Sequence, residues 1–129
     1  MFTAYVIVTL LTILANAAIA AADFARVPAV VANGDEVNLP RTWLPKLATL
    51  KVLGVAGLAL GLAGAVFTGD TTVVGAALSY LGLAAATGLV LFYLGAVAFH
   101  VRARVFHNIA FPGAFLALAV GSLVLAGLR

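Results

Sequence analysis

The sequence predicts an all-α polytopic membrane protein, a bundle of four transmembrane helices forming one domain. Two observations carry this. Hydrophobic residues fill 65% of the 129 positions and charged residues only 9%, whereas soluble chains carry about a quarter charged. Four apolar segments, about 2–22, 43–66, 72–100 and 109–128, each reach the roughly 20 residues that a bilayer span requires. Little chain remains between them, so no water-soluble catalytic module fits.

The first segment is read as an uncleaved span, because no Lys or Arg precedes its apolar run and the run exceeds the core of a signal peptide. Tyr5, Thr9, Thr12, Asn16 and Asp23 recur along it at helical spacing and share one face. Lipid offers such groups no partner, so the stripe is expected to face other helices or a polar cavity. Thr9 and Thr12 read as interhelical glue; Asn16 and Asp23 are candidates for more.

A long connection, residues 23–42, follows. Pro28 ends or kinks a helix there, and Asn33-Gly34 signals a turn before Asp35 and Glu36. At about twenty residues it is long for a small bundle, which suggests a cap over the bundle mouth; a solvated loop is the plainer alternative.

In the second span Thr42 reads as the N-cap, Pro45 falls in the tolerated first turn, and Trp43 suits the headgroup level. Gly54, Gly57, Gly61 and Gly64 lie on one side, where small residues let a second helix approach. That helix is either a neighbour in the bundle or a second copy, making this face the candidate for a homo-oligomer. In the third span Tyr80 and Thr87 share one face, Tyr93 and His100 another, and Phe92, Phe99 and Phe106 form a stripe read as core or lipid contact. Asn108 reads as the cap of the fourth span, with Pro112 near its first turn and Ser122 alone breaking a packing wall.

Charge placement orients the chain. Arg26, Arg41, Lys46, Arg102 and Arg104 flank the first and third connections, while the second, "TGDTT" (68–72), has neither Lys nor Arg. The positive-inside rule then puts both basic connections in the cytoplasm and both termini outside. The net charge of +3 thus belongs to membrane topology, with no nucleic-acid partner expected.

Lys51 lies about 12 Å beyond Trp43 along a helix, deep for an ammonium group. One reading is snorkelling to the headgroups. The other is pairing with Asp23, which closes the first span on the same side, where His100 also arrives. Pairing offsets the roughly 2.5–3.5 kcal/mol cost of a charge within the membrane. A desolvated Asp beside Lys and His can hold or move a proton near neutrality. Asp23, His100 and Lys51 are therefore the catalytic candidates, with Asn16, Asn33, Trp43, Tyr93 and Arg102 as ligand-binding candidates. A structural staple is the competing account of the pair.

With no cysteine, disulfides, thiol redox chemistry and Cys-ligated metals are excluded. His100 and His107 lie seven apart, and with Asp23 they make only a weak metal reading; no metal is expected. No phosphate-binding, dinucleotide or serine-hydrolase motif occurs.

Three stretches, "ADFARVPAVVAN" (22–33), "LPRTWLPKLATLKVLGVAGLALGL" (39–62) and "FHVRARVFHNIAFPG" (99–113), resemble the DoxX-like family of small bacterial membrane proteins. The resemblance implies a four-helix bundle in the bacterial cytoplasmic (inner) membrane. It singles out Asp23, Asn33, Trp43, Pro45, Lys51, His100 and Arg102. Some members are linked to quinone-coupled sulfur oxidation or redox-stress assemblies.

The expected function is binding of a lipophilic small molecule, quinone- or isoprenoid-like, in a polar pocket at the cytoplasmic end, with acid/base or quinone-linked redox chemistry open. Quinone is the one cofactor candidate. The alternatives are a non-catalytic anchor for an oxidoreductase partner through Arg41, Arg102 and Arg104, and a small transporter using the Thr9–Asn16–Asp23 stripe.

Overall fold

A computed structural model describes all 129 residues. The chain is helical, without strands. Helix α1 is Phe2–Phe24, α2 Pro28–Glu36, α3 Leu44–Ala63, α4 Val73–Arg102 and α5 Ala110–Leu128. A 3-10 turn, Arg41–Trp43, leads into α3, and a π-helical turn, Gly64–Thr68, ends it. Four stretches, Phe2–Phe24, Arg41–Thr68, Val73–Arg102 and Ala110–Leu128, are long and apolar enough to cross a membrane.

The four spans form a ring in the order α1–α3–α4–α5, each backbone packing on two neighbours, while side chains of α1 and α4 meet across one diagonal. Chain direction alternates around the ring. One end, the cap end, therefore gathers the finish of α1, the start of α3, the finish of α4 and the start of α5. Both termini lie at the other end. Helix α4, at thirty residues, is about 45 Å long, so it outruns a hydrocarbon core of roughly 30 Å.

Each helix end at the cap side has a local cause. Residues Arg26, Asn38 and Arg104 adopt φ of 52°, 62° and 57°. Behind each, the next amide donates five residues back: Val27 N to Ala22 O (3.1 Å), Leu39 N to Gly34 O (2.9 Å) and Val105 N to His100 O (2.9 Å). These are left-handed C-terminal caps. Arginine rather than glycine at two of them puts a cation at the negative end of a helix.

Three sequence expectations change here. Asn33-Gly34 is not a turn; it lies inside α2, which Pro28 starts with its fixed φ, and the turn comes at Asn38. Thr42 does not cap α3, since the 3-10 turn makes Trp43 the N-cap without a side-chain bond. Asn108 does not cap α5, whose N-cap is Ile109; its amide is engaged elsewhere.

The glycine face of α3 is covered by α4 of the same chain. Cβ atoms added at Gly54, Gly57 and Gly64 would meet Leu89, Ala85 and Leu78, and one at Gly61 would lie 2.6 Å from the Gly82 Cα. The two backbones touch at Gly61–Gly82. The face assigned to a homo-oligomer is thus consumed within the bundle.

At the terminal end, Gly69 (φ 67°) turns the chain and Thr72 Oγ1 accepts from Gly75 N at 2.9 Å. The Arg129 guanidinium donates to Asp70 Oδ2 (3.0 Å) and Ser79 Oγ (2.8 Å) and lies 4.8 Å over the Tyr5 ring. The Ser79 hydroxyl above all, with help from Arg129, holds the Asp70 carboxyl below the ordinary aspartate range against the opposing effect of burial.

Candidate functional site

Between the spans at the cap end lies a cavity of about 550 Å³. Its position follows from helix packing. The glycine ladder holds α3 and α4 together from residue 54 onward. Toward the cap the ladder gives way to larger side chains, and Leu47, Lys51, Phe92 and Phe99 line the opening. Helix α2 lies along the cap side of the cavity and lines it. It is pinned by Asp35 to Arg41 (2.7 Å), by Glu36 to His107, and by Asn33 to Asn108 (2.8 Å). The Arg41 guanidinium keeps the Asp35 carboxyl below its usual range.

The wall is mostly apolar, with two polar stations. At the first, Lys51 Nζ donates to Asp23 Oδ2 at 2.6 Å, with side chains only 10% and 4% exposed. Lys51 also stands 5.3 Å over the Phe92 ring. The ammonium does not snorkel. A carboxylate at the end of α1 opposes the helix dipole, and a buried cation costs several kcal/mol alone, so each charge removes the other's penalty.

At the second station His100, nearly fully buried, bonds through Nδ1 to Ala96 O at 2.9 Å. A carbonyl only accepts, so Nδ1 carries hydrogen. Its Nε2 lies 3.3 Å from Asn33 Oδ1, and that oxygen also accepts from Asn108 Nδ2. Asn108 Oδ1 is buried without a partner.

Asp23, Lys51, His100, Asn33, Trp43 and Tyr93 all line this one cavity. The other two sequence candidates do not. Asn16 is fully buried in the packing behind it: Oδ1 accepts from Tyr93 Oη, and Nδ2 donates to Thr12 O at 2.9 Å. It positions Tyr93, whose ring stacks on Phe115 at 5.2 Å. Arg102 ends α4 outside the cavity, its guanidinium 4.8 Å over the outer side of a lining residue, Phe99. Trp43 meets the same ring edge-on at 6.3 Å.

Sequence reasoning missed Asn108, taken as a helix cap, and the use of Phe92 as a seat for the Lys51 cation. The signal for Phe92 was present, as Phe92 and Phe99 repeat every second turn facing α3. Nothing in the order of residues 105–109 distinguishes a capping asparagine from one that reaches across to α2.

The α1 stripe points inward throughout: Tyr5, Thr9, Thr12, Asn16 and Asp23 are all buried. Thr12 Oγ1 bonds Val8 O (2.8 Å) and Ser122 Oγ (2.8 Å), joining α1 to α5. Beyond Asn16, toward the terminal end, the stripe lies buried between helices. No group of three or more His, Asp or Glu side chains converges to hold a metal ion.

Fold and site together define a membrane-spanning four-helix bundle with a polar-ended cavity between its helices. The model of the DoxX-like family matches residues 7–122. The chain belongs to that family and is a membrane protein. No curated protein and no solved structure matches it.

Proposed function

We propose that this protein binds a lipophilic small molecule, quinone- or isoprenoid-like, with its oxygen-bearing head at the two polar stations and its tail along the apolar wall. The observation that supports this is the buried Lys51–Asp23 pair facing an apolar cavity of about 550 Å³, a size typical of small-molecule sites. A packed core needs no such space. In this reading Lys51 donates to a ligand oxygen, Asp23 exchanges a proton with it, His100 acts on it through the Asn33–Asn108 amides, and Trp43 and Tyr93 border it.

The proposed location is the bacterial inner membrane, with the cap end cytoplasmic and both termini outside. Its support is the gathering of Arg26, Arg41, Lys46, Arg102 and Arg104 around the cap. Because the chain has no cysteine, single cysteines at residues 38 and 69 report sidedness cleanly in intact cells. Labelling of residue 38 alone by an impermeant maleimide reverses this orientation.

Binding is tested with the full chain in lipid nanodiscs, using decyl-benzoquinone as probe and quenching of the single tryptophan, Trp43, as readout. Saturable quenching is expected, lost in the Asp23→Asn/Lys51→Met double variant while its helix content and monodispersity persist. Quenching that rises linearly with probe and is the same in both proteins is membrane partitioning, and refutes the site.

A further inference from the structure

We propose that Asn108 recognises the oxygen of the ligand's head group, and that the protonation state of His100 sets whether Asn108 offers it a hydrogen-bond acceptor or a donor. This rests on the cavity being a ligand site and adds to it which functional group is favoured at which pH.

The inference follows from counting donors and acceptors. Ala96 O can only accept, so His100 Nδ1 donates in either charge state, and only Nε2 can change. In the structure Nε2 faces Asn33 Oδ1, an arrangement that forms a hydrogen bond only when Nε2 also carries hydrogen. Asn33 Oδ1 also accepts from Asn108 Nδ2. Asn108, a residue that lines the cavity, is thereby left with Oδ1 buried and unpartnered. A buried acceptor without a donor is costly, and a ligand hydroxyl would satisfy it.

Removal of the Nε2 proton sets a ring lone pair against the Asn33 oxygen. A half-turn of the Asn33 amide, whose two ends differ little in size, restores a hydrogen bond with Nδ2 donating to the ring. That same Nδ2 would now oppose the Asn108 amide nitrogen, so Asn108 turns as well and accepts through Oδ1. Its NH2 group then occupies the place where Oδ1 was. One proton on His100 thus converts the free end of Asn108 from acceptor to donor. A quinone carbonyl, which only accepts, matches the neutral state alone. A hydroquinone hydroxyl donates or accepts and matches both.

Other titratable groups surround the station. Asp23 on α1, Lys51 on α3 and Tyr93 on α4 share the cavity. Glu36 and Asp35 on α2 pair outside it with His107 and Arg41, and Arg102 lies on Phe99.

The test measures affinity for decyl-benzoquinone and for its hydroquinone, under anaerobic conditions, at pH 5.5 and pH 8, in nanodiscs. Quinone affinity is expected to fall roughly tenfold at the acid pH, the worth of one good hydrogen bond, while hydroquinone affinity changes by less than about twofold. Asn108→Ala and His100→Gln should both bind quinone without that pH dependence, and Asn33→Leu repeats the test should His100→Gln fail to fold. His107→Gln should retain the dependence. Quinone affinity that is equal at both pH values in the unaltered protein, or that still varies in Asn108→Ala, overturns the amide relay and leaves the cavity reading standing. Failure of both probes to bind at either pH overturns the two together.

Discussion

Replacing Lys51 by Met and Asp23 by Asn, singly and together, measures what the buried pair contributes. At 2.6 Å and almost without exposure, neither charge can turn to water when its partner is lost. Removing one member of such a pair costs about 3–5 kcal/mol. A ceiling exists, because the stranded group can discharge. At pH 7 neutralising a carboxylate of ordinary acidity costs about 4 kcal/mol, and an ammonium about 4–5. The Asp23→Asn ammonium keeps the Phe92 ring at 5.3 Å and the new amide oxygen, which puts its penalty near 3 kcal/mol. In Lys51→Met the carboxylate faces the negative end of α1 without a counterion, which puts that penalty nearer 4. The double variant, with no charge left, should recover most of either loss. The pH slopes carry opposite signs. A carboxylate that is neutral when folded and charged when unfolded makes Lys51→Met relatively more stable as pH falls, by at most about 1.4 kcal/mol per unit. A stranded ammonium makes Asp23→Asn relatively more stable as pH rises. Reversible SDS denaturation in mixed micelles between pH 5.5 and 8.5, followed by circular dichroism, reads both effects. Additive penalties in the double variant, or slopes of the same sign, would refute the assignment of a mutually dependent pair.

Three further outcomes follow from other contacts. Gly61→Val places a side chain against the Gly82 backbone and should destabilise by about 1–3 kcal/mol in the same denaturation assay, whereas Gly127→Ala, with open space around it, should be neutral. Tyr93→Phe strands Asn16 Oδ1 and should cost about 1–3 kcal/mol, with Tyr93→Phe/Asn16→Leu less destabilised than Tyr93→Phe alone; equal stability of Tyr93→Phe and the unaltered chain contradicts that bond. Because the Asp70 carboxyl is held below its ordinary range by Ser79 and Arg129, its stabilisation is present above about pH 4 and lost as pH falls through the depressed value. Asp70→Asn should therefore lower the melting temperature at pH 6, less so in high salt, and match the unaltered chain at strongly acid pH.

Most of the architecture was legible because lipid imposes it. Apolar stretches of fixed length and small residues at helical spacing have few alternatives in a bilayer, and both were visible along the chain. The inward direction of the α1 stripe was readable for the same reason, since hydroxyls and amides have no partner in hydrocarbon. So was the meeting of Asp23 and Lys51, as each is expensive without the other. Features set by a single hydrogen bond were not legible. Asn33-Gly34 has turn chemistry, yet Pro28 starts a helix that runs through it to Glu36. Asn16 and Asn33 are the same residue type at plausible depths, and only the packing shows one consumed by Tyr93 and the other beside His100. Arg102 shares the cap end with His100 but leaves the last turn of α4 on the outer side, where Phe99 gives its cation a seat.

The depth of the cavity follows from two patterns on different helices that change character at one level. On α3 the small residues that allow backbone contact begin at Gly54, where Leu89 of α4 fills the space a side chain would need. One turn nearer the cap stands Lys51, beside Phe92, and there the cavity begins. On α1 Thr12 is spent on Ser122 and Asn16 on Tyr93, and two turns nearer the cap the stripe ends in Asp23 facing the cavity. The Asn16–Tyr93 bond and the Gly54–Leu89 contact together form the cavity floor. A charge pair placed beyond that floor would have to fit inside close-packed helices, and one nearer the mouth would be hydrated. At this level the pair is dry yet borders open space, so a bound head group can reach charges that bulk water does not screen. Moving the first glycine contact one turn toward the cap, by Lys51→Gly with Asp23→Asn, should therefore shorten the cavity and remove decyl-benzoquinone binding while the outer half of the bundle stays folded. Binding that survives this change would show that the floor does not set the site.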